Sequence, residues 1–395
     1  MVMFGWRHRK SKLEITRIVV VAFLLATLIF SLYFWRLGTL TSGLGPVEVD
    51  SRAASSSLQQ VADSPVYAPH KVLSYASQKV FGPSTLALRS VSVMLAILFL
   101  VFFYQLVKGW FGKIIGFFAT LLLAATPWFI LLARSGGPEI FLLAPIIVLA
   151  SYYWLIRSKR WPAWLALIVS SGLVAYLPGG ILLIFLGAVI ARRDLKQAAG
   201  SLGRFHKFLG TVTLLLILSP LAYAGVRNPS ALKLLLLIPA DWPSIWIVMK
   251  SAAWDVLALF YRTPQPGDFI IGRLPMFYGV QIILALFGSF ALFKLARSKL
   301  YLLIAVIGFG VLAAAVNRNL AFLSLVLPAV ALAVAAGLRY LYMEWRRVFP
   351  KNPLPKYLAL VLIASLVGMH VFYGLRYSLI AWPNSAATRS TYVLK

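Results

Sequence analysis

The chain has 395 residues, 61% of them hydrophobic and only 12% charged, with a mean hydropathy of +0.87. Such values lie outside soluble-globular usage and indicate a polytopic membrane protein. The net charge of +28 comes from 38 basic and ten acidic residues, and the absence of cysteine excludes disulfides, thiol catalysis and cysteine metal sites.

From the N-terminus, "GWRHRKSK" precedes a long apolar run that no small-x-small site closes cleanly, which predicts an uncleaved signal-anchor. Crossing a hydrocarbon layer of about 30 Å takes roughly 20 apolar residues as a helix. Runs of that kind predict eleven helices, at 18–35, 90–107, 114–133, 139–156, 162–176, 178–191, 208–226, 276–295, 300–316, 320–341 and 358–375. Continuous Leu, Ala, Ile and Val choose helices over a barrel's alternating pattern. The fifth and sixth share the break "YLPGG" at 176–180, where Pro178 removes a donor and two glycines permit a tight reversal, so a bent hairpin is an alternative there. The whole chain reads as one integral all-α membrane domain, 1–395, without internal repeats.

Positive residues stay on the cytoplasmic side. With the N-terminus inside, segments 1–17, 108–113, 157–160, 192–207, 294–299 and 339–356 hold 23 of the 38 Lys and Arg. The C-terminus is then outside, and seven of ten carboxylates face outward, Glu48, Asp50, Asp63, Glu139, Asp241, Asp255 and Asp268. The basic excess forms a collar for anionic membrane lipids, and no nucleic-acid partner is expected.

Two outer loops stand out, 36–89 and 227–275. In the first, Ala53, Ala54, Leu58 and Val61, then Val72, Leu73, Ala76 and Val80, recur at helical spacing and predict amphipathic helices on the membrane surface. The second carries Trp242, Trp246, Trp254 and Tyr261 among isolated charges, an interfacial aromatic segment.

Glu48 and Asp50 open the first loop one residue apart. A carboxylate at the membrane surface can take a proton from a hydroxyl. Asp50 or Ser51 can equally N-cap a surface helix starting at Arg52, which leaves Glu48 ahead of the cap and free to face a cavity. Glu139 suits either a functional role or the first turn of a helix, where its charge meets the macrodipole. Arg89, Arg134, Arg262 and Arg318 fall at outer ends of their segments, suited to a lipid phosphate or to simple snorkelling. His70 offers a second base or a metal contact, beside the commoner reading of a surface histidine with neither role.

The segment "SPVYAPHKVLSYASQKVFGPSTLALRSVSVMLA" (64–96), following the acidic pair, resembles the GT-C glycosyltransferases that use polyprenyl-phosphate sugars, in particular the protein O-mannosyltransferase and aminoarabinose-transferase type. The matching residues are Glu48 and Asp50, Pro69, Phe81-Gly82 and Arg89. "LAATPWFILLARSGGPEIFLLA" (123–144) is similar to that group's third helix and outer acidic turn, with Arg134 and Glu139 in place. "NRNLAFLSLVLPAVALAVAAGLRYL" (317–341) looks like its late helix. The chain departs from the pattern where Val49 splits the acidic pair, where His70 replaces a second proline, and where Glu139 stands for the commoner Asp.

The resemblance implies transfer of a sugar from a polyprenyl-phosphate donor to a protein, lipid or glycan acceptor at the outer face of a prokaryotic plasma membrane. It implies Glu48 or Asp50 as the base, with Glu48 preferred. His70, Arg89, Arg134, Glu139, Arg262 and Arg318 are then substrate-binding. No metal site is expected, although a divalent cofactor is compatible. Transport or flipping of a lipid-linked intermediate is the alternative, and an envelope scaffold subunit a third. Transporters bury ionisable groups near the midplane, whereas these lie at segment ends.

Overall fold

The computed structural model describes residues 23–239, 241–263, 270–349 and 353–393. The signal-anchor segment, the start of the first predicted helix and Asp268 lie outside the described residues. All eleven predicted apolar segments appear as helices where they are described. α1 (Phe23–Phe34) leads into α2 (Pro46–Ala54), α3 (Leu58–Asp63) and α4 (Ala68–Phe81), which occupy the first loop, and α5 (Thr85–Phe111) follows. Next come α6 (Lys113–Ala124), α7 (Pro127–Arg134), a 3-10 turn Pro138–Leu143, α8 (Pro145–Ser158), α9 (Trp161–Val174), α10 (Gly180–Ile190), α11 (Arg192–Gly200) and α12 (Arg204–Arg227). The second loop holds α13 (Pro229–Leu235) and α14 (Ile245–Phe260). Then α15 (Gly279–Leu295), α16 (Arg297–Asn317), a 3-10 turn Leu320–Leu325, α17 (Val326–Val348), α18 (Pro353–Arg376) and α19 (Ala386–Thr391) complete the order.

The eleven segments differ in length, and four of them, α1, α9, α10 and α15, are shorter apolar helices of fewer than 18 described residues. Six helical segments are long and apolar enough to cross a membrane, and α6 with α7 makes a seventh, bent by 65°. Pro127 causes that bend, since its ring cannot continue the helix from α6. At Tyr176–Gly180 the backbone reverses, with Gly179 at φ +73° and its N–H on Leu235 O at 2.7 Å, so α9 and α10 are half-length, as the hairpin alternative expects. α15 crosses α17 where Gly288 and Gly337 face the partner backbone. Small residues permit such close approach where lipid supplies no hydrophobic drive.

The bundle has two chemically different ends. At one, Arg339 donates to Trp110 O (2.7 Å), Tyr153 to Gly109 O (2.7 Å) and Tyr152 to Asp194 Oδ2 (2.8 Å), while Lys299 sits 4.4 Å over the Trp110 ring. These contacts gather the basic segments 108–113, 192–207, 294–299 and the start of 339–356. At the other, Tyr67 N–H reaches Tyr176 O (2.9 Å) and Asn228 reaches Asp63 O (3.4 Å), so both long loops meet there. α5, about 40 Å long by helical rise, runs from the second end to the first.

Candidate functional site

α2 starts where Gly45, in extended conformation, precedes Pro46 at the first helical position, a residue pre-set for that place. This corrects the reading of a surface helix starting at Arg52 under an Asp50 or Ser51 cap. The chain enters the helix six residues earlier, and Glu48 is inside its first turn. Glu48 Oε2 reaches back to the Gly45 N–H at 3.1 Å, satisfying one of the orphan amides of a helix start. The side chain is 1% exposed and is therefore not free ahead of a cap.

The other partners of Glu48 come from far along the sequence. Ser84 caps α5 by accepting the Ala87 N–H (3.1 Å), so α5 begins before the expected residue 90 and Arg89 falls in its first turns. Arg89 is 3% exposed and not an interfacial snorkeler. Its Nε donates to Glu48 Oε1 (2.8 Å) and one terminal nitrogen to Oε2 (2.8 Å), a bidentate clamp. Its other terminal nitrogen donates to Leu37 O, and the nitrogen on Oε2 also faces Thr41 Oγ1 and Gly43 O. Gly136 N–H adds a fourth bond to Glu48, at 2.7 Å on Oε1. Each oxygen of Glu48 therefore accepts two hydrogens, which uses the capacity of a carboxylate.

The turn that supplies Gly136 also carries Glu139. Gly137 lies against both Val47 Cγ1 and the Glu139 carboxylate, and a Cβ there would meet both. Glu139 is half-buried in the first turn of the 3-10 segment. Burial, and after it the Glu139 charge, pushes the Tyr67 hydroxyl well up from its ordinary value. Tyr67 itself sits at φ +59°, a costly backbone state for a bulky residue. Beneath the turn, His70 Nε2 and Ser92 Oγ are 3.2 Å apart, and Ser92 donates to Gly137 O at 3.3 Å. His70 is completely buried, which corrects its reading as a surface group able to touch a substrate or metal. Burial, helped by Lys71, lowers its pKa to about 3.

A narrow cleft of about 20 Å³ opens beside the clamp, lined by Glu48, Arg89, Arg134, Ser135, Trp382 and Tyr392 among others. Arg134 is 6% exposed and donates to Leu32 O (3.2 Å) and Trp35 O (2.8 Å). Among the described residues no carboxylate lies within ion-pairing distance of it. Trp382 and Tyr392, whose rings pack edge-on at 5.2 Å, close the cleft, and Ser42 donates to Tyr392 O (2.7 Å). Sequence reasoning missed these two aromatics because they lie beyond the last apolar run and carry no motif.

Of the residues predicted from sequence, the fold brings Glu48, Arg89, Arg134, Glu139 and His70 to one place. Asp50 is exposed on the face of α2 opposite Glu48, and Arg262 and Arg318 are exposed at the ends of α14 and α16. Among the described residues no three His, Asp or Glu come together as a metal site.

The family model for dolichyl-phosphate-mannose-protein mannosyltransferases matches residues 71–223. Among solved structures, ArnT from Cupriavidus metallidurans in the apo state aligns with a TM-score of 0.56 at 16% identity, over 97% of this chain and 77% of that one. The same protein bound to undecaprenyl phosphate aligns at 0.58 and 15% identity, over 95% and 76%. The archaeal oligosaccharyltransferase AglB from Archaeoglobus fulgidus, in complex with an inhibitory peptide and a dolichol-phosphate, aligns at 0.56 and 13%, over 95% of this chain and 57% of its own. No curated protein sequence matches the chain.

Proposed function

Proceeding from the fold this chain shares with the GT-C glycosyltransferases of lipid-linked donors, we propose that it moves a sugar from a polyprenyl-phosphate to a hydroxyl of a protein, lipid or glycan. The reaction takes place at the Glu48–Arg89 end, which in this reading faces outward from a prokaryotic plasma membrane. The N-terminus is then cytoplasmic and the C-terminus outside. The observation that carries the reading is the cleft itself. Two buried guanidinium groups line it, and among the described residues only Arg89 has a carboxylate partner. The excess positive charge of Arg134, at the end of an apolar bundle, suits a phosphate whose tail stays in lipid. Relatives in fold bind undecaprenyl phosphate and dolichol-phosphate, which supports the same donor class here.

The transfer breaks the bond from the anomeric carbon to the phosphate oxygen and forms one to the acceptor oxygen. The acceptor's proton goes to a base, and the lipid phosphate departs with the electron pair. Glu48, bonded by four donors, serves better as the anchor that fixes Arg89 and the Gly136 turn than as that base. We assign the proton to Glu139, the partly buried carboxylate three residues after the anchored Gly136. Arg134 meets the charge developing on the phosphate.

The test uses protein in liposomes with a panel of radiolabelled undecaprenyl-phosphate sugars and soluble acceptors. Wild type should consume at least one donor in an acceptor-dependent way, and Arg134→Met should lose that activity. Failure to consume any donor, or full activity in Arg134→Met, overturns the reading.

A further inference from the structure

Four residues from α4, α5 and the 135–137 turn form a hydrogen-bonded line whose direction can be derived. Ser92 Oγ has one hydrogen, and the Gly137 carbonyl 3.3 Å away can only accept it. Ser92 must then accept from His70 Nε2 at 3.2 Å, which places the ring proton on Nε2. Nδ1 is left as an acceptor, facing the Ser74 hydroxyl at 3.5 Å. The line runs Ser74 to His70 to Ser92 to Gly137 O, with every member but the glycine at 0% exposure. It needs no charge, and burial keeps the imidazole neutral at any physiological pH.

The turn is thus held from two sides. Glu48 takes the Gly136 N–H at 2.7 Å, and Ser92 gives its hydroxyl to the next carbonyl. Two residues further on stands Glu139. A turn fixed by only one of these bonds could pivot about it. The pair together sets both height and rotation.

We propose that His70, acting through Ser92, is a positioning residue that fixes the Ser135–Glu139 turn and hence the Glu139 carboxylate. The inference rests on the proposed transferase for its catalytic consequence but not for its structural one. Residue 70 is where this chain departs from the expected proline, and the structure shows an imidazole whose Nε2 hydrogen a proline could not supply.

The test combines hydrogen exchange of the peptide covering 135–139 with steady-state kinetics in liposomes. His70→Leu and Ser92→Ala should each speed amide exchange there about 10-fold, the worth of one buried hydrogen bond, with exchange in α17 unchanged. His70→Gln should restore slow exchange, since its amide nitrogen can donate to Ser92. The double variant should exchange no faster than the worse single one. In kinetics, kcat should fall about 10- to 100-fold with KM unchanged, as expected for a misplaced group. Wild-type exchange in Ser92→Ala overturns the proposal, as does an additive double variant. If His70→Leu fails to fold, Ser92→Ala alone decides. If wild type moves no sugar, the exchange data still decide the relay, and only the transferase reading falls.

Discussion

Replacing Glu48 by Gln separates an anchor from a base, because loss of an anchor lowers stability whereas loss of a base leaves it nearly unchanged. The substitution keeps the side chain's shape and removes its charge. In the clamp, Oε1 accepts from Arg89 Nε and Gly136 N, and Oε2 from Arg89 and Gly45 N. An amide nitrogen at either position would face two donors, so two N–H groups lose their acceptor and Arg89 loses its counter-charge. Breaking a buried pair in this way costs about 3–5 kcal/mol. For 395 residues, with an unfolding entropy of about 2.1 cal/mol/K per residue, that lowers Tm by about 4–6 °C. Intrinsic-fluorescence melting in detergent micelles would read it. Arg89→Met combined with Glu48→Gln should recover part of the loss, because neither charge then stays buried alone. A Glu48→Gln protein that melts within about 1 °C of wild type yet transfers no sugar would refute the anchor and return Glu48 to the role of base.

Glu139→Gln should slow transfer about 10²- to 10⁴-fold, the usual worth of a general base, with Tm within about 2 °C, whereas Asp50→Asn, exposed on α2, should change neither; loss of activity only in Asp50→Asn would reverse the assignment. Asp255, buried on α14 outside the candidate spans, has its pKa raised by burial to about 6. The folded chain therefore holds a proton there that the unfolded chain releases from about pH 4 upward, so stability falls as pH rises from about 4 to 6, by up to roughly 3 kcal/mol. Asp255→Asn should flatten that slope in melting curves and raise Tm at pH 7, and an unchanged slope would refute it. Single cysteines at Ser56 and Ser201, both exposed, should label with an impermeant reagent from opposite faces of the membrane. Labelling from the same face would remove the two-ended orientation.

The apolar helices and the sidedness of the basic segments were legible in the sequence because both are local quantities, run length and charge count. The clustering of Glu48, Arg89, Arg134 and Glu139 was visible only through resemblance, since 41 residues separate the clamp partners and 88 separate Glu48 from Gly136. What composition could not reveal was how each group is spent. A carboxylate one residue from another looks equally available in sequence, yet one lies against Arg89 and the other faces out, because a helix turns by 100° per residue and 48 and 50 fall on opposing faces. The start of that helix decides which is which. Reading Asp50 as the cap moved the helix six residues along and so released Glu48 into a cavity, whereas Pro46 after Gly45 was the stronger start signal. His70 shows the same dependence in reverse. Its sequence neighbourhood is that of a surface helix, but α4 packs against α5, and the face bearing His70 and Ser74 is the buried one. Polar residues on such a face must find partners, and theirs are each other and Ser92 of α5, which in turn bonds the turn that carries Glu139. A local misreading of one helix start or one helix face is therefore enough to exchange the roles of base, anchor and support while leaving the fold correct.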